Sequence, residues 1–339
     1  MGFLRFLLAT SVILSHVGYI LGVGFVGGLL AVQTFFIISG FYMTLILKEK
    51  YVNRNGSYRL FITNRFLRIY PVYWFILVLT FITGVIFIPN YANTDTSSIL
   101  SLVINYIYLP LKNIFLFTTI DFFVFEPRTY ELYQVLVAWT LGLELVFYII
   151  APFVVKSKKI LIPLFIFSIL ARLATAHVHV LYPMPYINRF LLTELCFFLA
   201  GACGYYVYSY IREMKIQRVL LIAMFAVFIA MTTFFKQAAV FFGHENYFQW
   251  LYILAATLCI PFIFKLTNKS GIDQFFGNLS YPMYVSNSFV CLILVTVFGF
   301  SVYSVEYVPI QLVITIVLAF LLDRYISEPI NRLRQKRVK

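Results

Sequence analysis

The sequence predicts an all-α fold, a polytopic transmembrane helix bundle with about ten spans, on three observations. Of its 339 residues, 62% are hydrophobic and 12% charged, with a mean hydropathy of +0.91. A soluble surface needs about twice that charge. Apolar runs of about 20 residues, the length that crosses a bilayer as a helix, follow one another along most of the chain. Finally, basic residues gather at every second exit from those runs, the pattern that orients membrane proteins.

The predicted spans run at roughly 3–21, 25–47, 66–88, 132–155, 159–177, 187–208, 217–236, 247–266, 279–300 and 306–322, within one membrane domain covering 1–339. Lys48, Lys50, Arg54, Arg59, Arg65 and Arg68 follow the second span, and Lys156, Lys158 and Lys159 the fourth. Arg212, Lys215 and Arg218 follow the sixth, Lys265 and Lys269 the eighth, and Arg324, Arg332, Arg334, Lys336, Arg337 and Lys339 the tenth. The odd exits carry almost no Lys or Arg. Both termini are therefore expected in the cytosol. A full crossing at 97–111 would invert every later loop, so 97–131 is read as a re-entrant or outward-side element. The polar stretch 48–64, with a turn at Asn55-Gly56, reads as a cytosolic loop.

The net charge of +13 belongs to these short loops and not to one face, which argues against a nucleic-acid partner. Cys196, Cys203, Cys259 and Cys291 lie in apolar runs and read as small hydrophobes, with no disulfide framework and no metal-ligand spacing.

Inside a bilayer an ionisable side chain costs about 2.5–3.5 kcal/mol on insertion scales, which makes such residues the first functional candidates. His16 reads as deep in the first span, about 16 Å beyond Arg5 along the helix. Imidazole suits proton transfer near neutral pH. Glu144, near Trp139 and Thr140, is placed to orient His16 or to hold a hydroxyl. Arg65 and Arg68 share a helix face by their spacing of three. They read either as a membrane anchor at the headgroups or as a guanidinium pair for phosphates. Ser39-Gly40 lets helices approach closely, and Gln33 and Tyr281 offer hydrogen bonds to a polar ligand. Arg172, Arg189, Glu194, Ser280 and Asn287 are further buried polar positions; His177 and His179 read as solvated, and Asp323 and Glu328 as caps and charge partners of Arg324.

The segments RFLLATSVILSHV, GLLAVQTFFIISGF, NRFLRIYPVYW, AWTLGLELVFYIIAP, GNLSYPMYVSN and ISEPINRL, in this order, resemble the acyltransferase 3 family of integral membrane acyltransferases. The resemblance runs from end to end. It implies ten spans and transfer of an acyl group, commonly acetyl from acetyl-CoA, to a carbohydrate hydroxyl, without a permanently bound cofactor. Arg5 and His16 match its first-helix motif, Arg65 and Arg68 its RxxR, and Glu144 its acidic position. Asn287 departs from it, standing where a His is frequent. By this reading His16 and Glu144 are catalytic, Arg5, Arg65 and Arg68 hold acyl-CoA, and Gln33, Ser39, Trp139 and Tyr281 contact substrate. The partners are acyl-CoA, a carbohydrate or glycolipid acceptor and the lipid bilayer, and the location is the inner membrane of a bacterium. The competing class is a proton-coupled transporter or exporter, against which stands the lack of an internal repeat.

Overall fold

The computed structural model describes residues 1–18, 22–23, 25–51, 58–87, 114–116, 137–181, 190–243, 245–301 and 306–337. The described regular structure is helical: α1 (Gly2–Val17), α2 (Gly28–Glu49), α3 (Tyr58–Phe87), α4 (Ala138–Val154), α5 (Lys158–Leu181) and α6 (Leu191–Ile211) come first. They are followed by α7 (Arg218–Thr233), α8 (Phe235–Phe242), α9 (Glu245–Thr267), α10 (Gly271–Thr296) and α11 (Tyr307–Leu322). A π-helical segment (Asp323–Ser327) then leads into α12 (Glu328–Lys336).

A helix falls at each predicted span. Seven are long and apolar enough to cross a membrane among the described residues, or eight if α7 and α8, bent by 74°, are one span. α1 and α4 are shorter apolar helices, of 16 and 17 residues. α1 stops before the expected residue 21 because Gly18 leaves the helix at φ 114°, a conformation that a side chain would strain. His16 therefore lies on the last turn of α1 and is exposed, not deep in a span. α3 begins at Tyr58 and α10 at Gly271, each about two turns ahead of the predicted start, so 58–64 is helix and not loop. The element expected at 97–131 lies outside the described residues except for 114–116, where the Ile114 carbonyl accepts from Trp74 Nε1 at 3.0 Å. Arg189 and the side chains of His177 and His179 also lie outside them.

Burial separates a centre from a rim. Most of α2 and α6 is buried, whereas α5 and α11 are largely uncovered and display Ile166, Phe167, Leu170, Val313 and Val317. In a bilayer that apolar rim faces lipid. The same solvent excuses the prolines inside α3, α4, α5, α9 and α10, which neighbouring helices support.

The centre is held by close backbone contact and by stacked rings. A Cβ on Gly40 of α2 would collide with the Phe198 carbonyl of α6, and one on Gly201 with the Ile37 carbonyl of α2. Small residues at reciprocal positions let two backbones touch, as expected for Gly40. Above this crossing Phe36, Phe198 and Phe147 form a column, with ring centroids 4.4 Å apart at each step, that ties α2, α6 and α4 together. Gly40→Ala is expected to destabilise the fold by about 1–3 kcal/mol, the usual cost of overpacking. Thermal unfolding in detergent checks this, with Gly204→Ala as the comparison, since a Cβ there meets nothing nearer than 3.6 Å.

The four cysteines are free. Glu328 accepts from Arg324 at 2.9 Å and from Arg332, the charge pairing expected at the end of the last span.

Candidate functional site

The end of the bundle where α1, α3 and α10 begin and α2 ends encloses a cavity of about 1420 Å³. Arg5, Lys50, Arg65, Arg68, Arg324, Arg332 and Arg334 line it, against Glu49, Asp273, Asp323 and Glu328. A second, narrow cavity of about 60 Å³ abuts the first, and Arg5, Tyr42, Arg68 and Tyr281 line both. This neck continues between Ser39, Thr140, Glu144 and Tyr284 and along α2 as far as Val32 and Phe35.

Local structure explains how each side chain is held. The first N–H groups of a helix lack internal partners. In α1 they are taken by Asp273, which accepts from Gly2 N at 2.7 Å and Phe3 N at 3.0 Å. Asp273 is itself placed by the first turn of α10, where its N–H bonds the Ser270 side chain at 3.2 Å. α1 and α10 then cross so closely that a Cβ on Gly2 would strike the Asp273 carbonyl. Arg5, one turn above this anchor, is thereby fixed at the junction of the two cavities.

Arg65 and Arg68 lie on α3, whose early start makes them part of a rigid helix. Arg65 is only 5% exposed, stands 5.6 Å from the Phe61 ring and leaves its Nε without a partner among the described residues. Among the described residues no carboxylate lies within 4.0 Å of Arg5, Arg65 or Arg68. Of the two readings of this pair, a guanidinium site for phosphates fits side chains that line a cavity better than a headgroup anchor does. Guanidinium groups taken out of water with no carboxylate in ion-pair contact favour an anion.

Glu144 closes the neck on the other side. Its Oε1 accepts from Ser39 Oγ of α2 at 2.8 Å and from the Tyr148 hydroxyl one turn along α4. Ser39, expected to serve helix packing and substrate contact, is thus a partner of Glu144. Thr140 and Tyr284 share a hydroxyl hydrogen bond of 2.8 Å, and the Tyr281 hydroxyl donates to the Ile69 carbonyl at 2.6 Å, tying α10 to α4 and α3.

The structure brings Arg5, Arg65, Arg68, Ser39, Glu144 and Tyr281 to the two cavities. It does not bring His16 to Glu144, whose partners are Ser39 and Tyr148. His16 lines neither cavity. Its neighbour Ser15 packs against Gly28, about one helical turn beyond the end of the neck at Val32. Gln33 is buried elsewhere, beside Glu194, which pairs with Arg172 at 2.6 Å. Trp139 packs on the core and lines neither cavity. Sequence reasoning missed Tyr42, Tyr148, Tyr284 and Asp273. The run Thr140, Glu144, Tyr148 carried a signal, since a spacing of four places all three on one helix face.

The model of the family described as acyltransferase domain (Acyl_transf_3) matches residues 1–324. No curated protein and no solved structure matches. The chain therefore belongs to the acyltransferase 3 family and is a membrane acyltransferase.

Proposed function

We propose that this acyltransferase moves an acyl group, acetyl in the first instance, from acyl-CoA to a hydroxyl of a carbohydrate or glycolipid of the cell envelope. The observation that carries the reading is the arginine-lined cavity narrowing into a neck. The wide end suits a phosphorylated head, and the neck suits a slender thioester arm. The basic end faces the cytosol, where the donor is made. Both termini lie on that side, in the inner membrane of a bacterium.

In this mechanism Arg5, Arg65 and Arg68 bind the phosphates. Glu144 is a positioning residue: its charge attracts Arg5 and Arg68, and it holds the Ser39 and Tyr148 hydroxyls. His16 stands beyond the neck on the exposed side, where an acceptor arrives. Its imidazole takes the acceptor proton as the hydroxyl oxygen bonds to the thioester carbonyl carbon. The C–S bond then breaks, and the proton passes to the departing sulfur, so CoA leaves as a thiol.

The test is to give purified protein radiolabelled acetyl-CoA together with envelope glycan and to follow label into the glycan. Transfer is expected with wild type. Arg68→Ala should raise the KM for acetyl-CoA about 10–100-fold, the range of one lost hydrogen bond to a charged group. Movement of glycan across proteoliposomes without label transfer would overturn the proposal in favour of transport.

A further inference from the structure

We propose that Arg334 joins Arg65 and Arg68 in a three-arginine site for a phosphate group, so that α12 forms part of the donor site. This rests on the donor reading above and extends it to a helix beyond the family match, which ends at residue 324.

Three observations converge. First, Arg334 lines the large cavity together with Arg65 and Arg68, although it comes from the far end of the sequence. Second, the carboxylate that α12 carries is already taken. Glu328 takes both Arg332 and Arg324 of the π-segment, while among the described residues Arg334 donates only to Asn331 Oδ1, at 2.6 Å. No carboxylate lies within 4.0 Å of Arg334 among the described residues. Third, the Nε atoms of Arg334 and of the almost fully buried Arg65 are both shielded and both lack a partner among the described residues. Arg68 repels each of them, as Arg65 repels Arg334. Like charges gathered this way, with donors unspent, fit a multiply charged anion, and the planar guanidinium fork matches phosphate oxygens.

The π-segment Asp323–Ser327 supplies the geometry. A π-turn takes up one residue more than an α-turn would, which rotates the following helix by about 100°. That rotation sets which face of α12 meets α3. Such segments are frequent at functional sites. Anionic lipid headgroups offer the same phosphate chemistry, but the enclosure of Arg65 favours a soluble ligand that enters the cavity.

The experiment measures binding of CoA, dephospho-CoA and pantetheine to the purified full chain in neutral detergent, using wild type, Arg334→Gln, Arg334→Lys and Lys336→Gln. The expected result is at least a tenfold weaker CoA dissociation constant for Arg334→Gln, a partial loss for Arg334→Lys and no change for Lys336→Gln. Pantetheine, which has no phosphate, should bind all four alike. If a well-folded Arg334→Gln binds CoA like wild type, or if Arg334→Gln misfolds while Arg334→Lys binds CoA like wild type and inorganic diphosphate protects neither, the proposal is overturned. If wild type ignores CoA but inorganic diphosphate raises its unfolding temperature in an Arg334-dependent way, the three-arginine site stands and the CoA reading fails. If only nanodiscs containing phosphatidylglycerol stabilise the protein, the site is a lipid contact and the proposal is overturned.

Discussion

His16→Ala is expected to slow acyl transfer by about 10²–10⁴-fold, the usual contribution of general acid–base catalysis, while leaving CoA binding intact. The second half of that statement comes from the fold. His16 is exposed on the last turn of α1, eleven positions beyond Arg5 at the junction of the cavities. A side chain that touches neither the wide cavity nor the neck has no part in holding the donor's phosphates. Parallel measurements of turnover with labelled acetyl-CoA and of CoA affinity separate the two properties. Full turnover in a well-expressed variant would move the role of base to another group, and Glu144 would be the next to examine.

Glu144 should show the opposite profile, in which stability, donor binding and turnover fall together. Glu144→Ala strands the Ser39 and Tyr148 hydroxyls, each at a cost of about 1–3 kcal/mol if left without a partner. It also removes a negative charge that attracts Arg5 and Arg68. Glu144→Gln separates these effects, because its amide oxygen can still accept from both hydroxyls although the charge is gone. The expected order of unfolding temperatures in detergent is wild type, then Gln, then Ala, with donor affinity altered in both variants. An alanine variant as stable as wild type would show that the two hydroxyls find other partners.

The bundle was legible in the sequence because lipid imposes a length and an apolar composition on every crossing. The errors fall where that rule is suspended. α3 and α10 start about two turns earlier than hydropathy suggested. Asn64 fell within the predicted loop, and Asp273, Gln274 and Asn278 ahead of the predicted ninth span, yet all four lie on helix and line a cavity. Helix faces turned toward water or toward an anion obey soluble rules within a membrane chain.

The candidate site was half legible for a related reason. Sequence gives the height of a residue along its helix but not the direction in which it points. His16 and Glu144 were paired as catalytic candidates, but the packing of α2 and α4 gave Glu144 to Ser39 and Tyr148 instead. Gln33 had the polarity of a ligand contact, and the turn of α2 carried it to Glu194. Arg334 looked like one more charge in a basic tail. The Glu328-Pro329 pair that opens α12 was the available signal that a helix, not a tail, begins there.

The neck has a consequence for the cell's energy supply. At about 60 Å³ it admits only a few water molecules, and Phe35, Val32 and Tyr284 wall its far end. An enzyme that handles a donor on one face of a membrane and an acceptor on the other must not discharge the proton gradient between them. On the function proposed above, so small and almost dry a neck would give the acyl arm its path and at the same time act as electrical insulation. Widening it, by shortening Phe35 for example, puts membrane potential at risk as well as turnover.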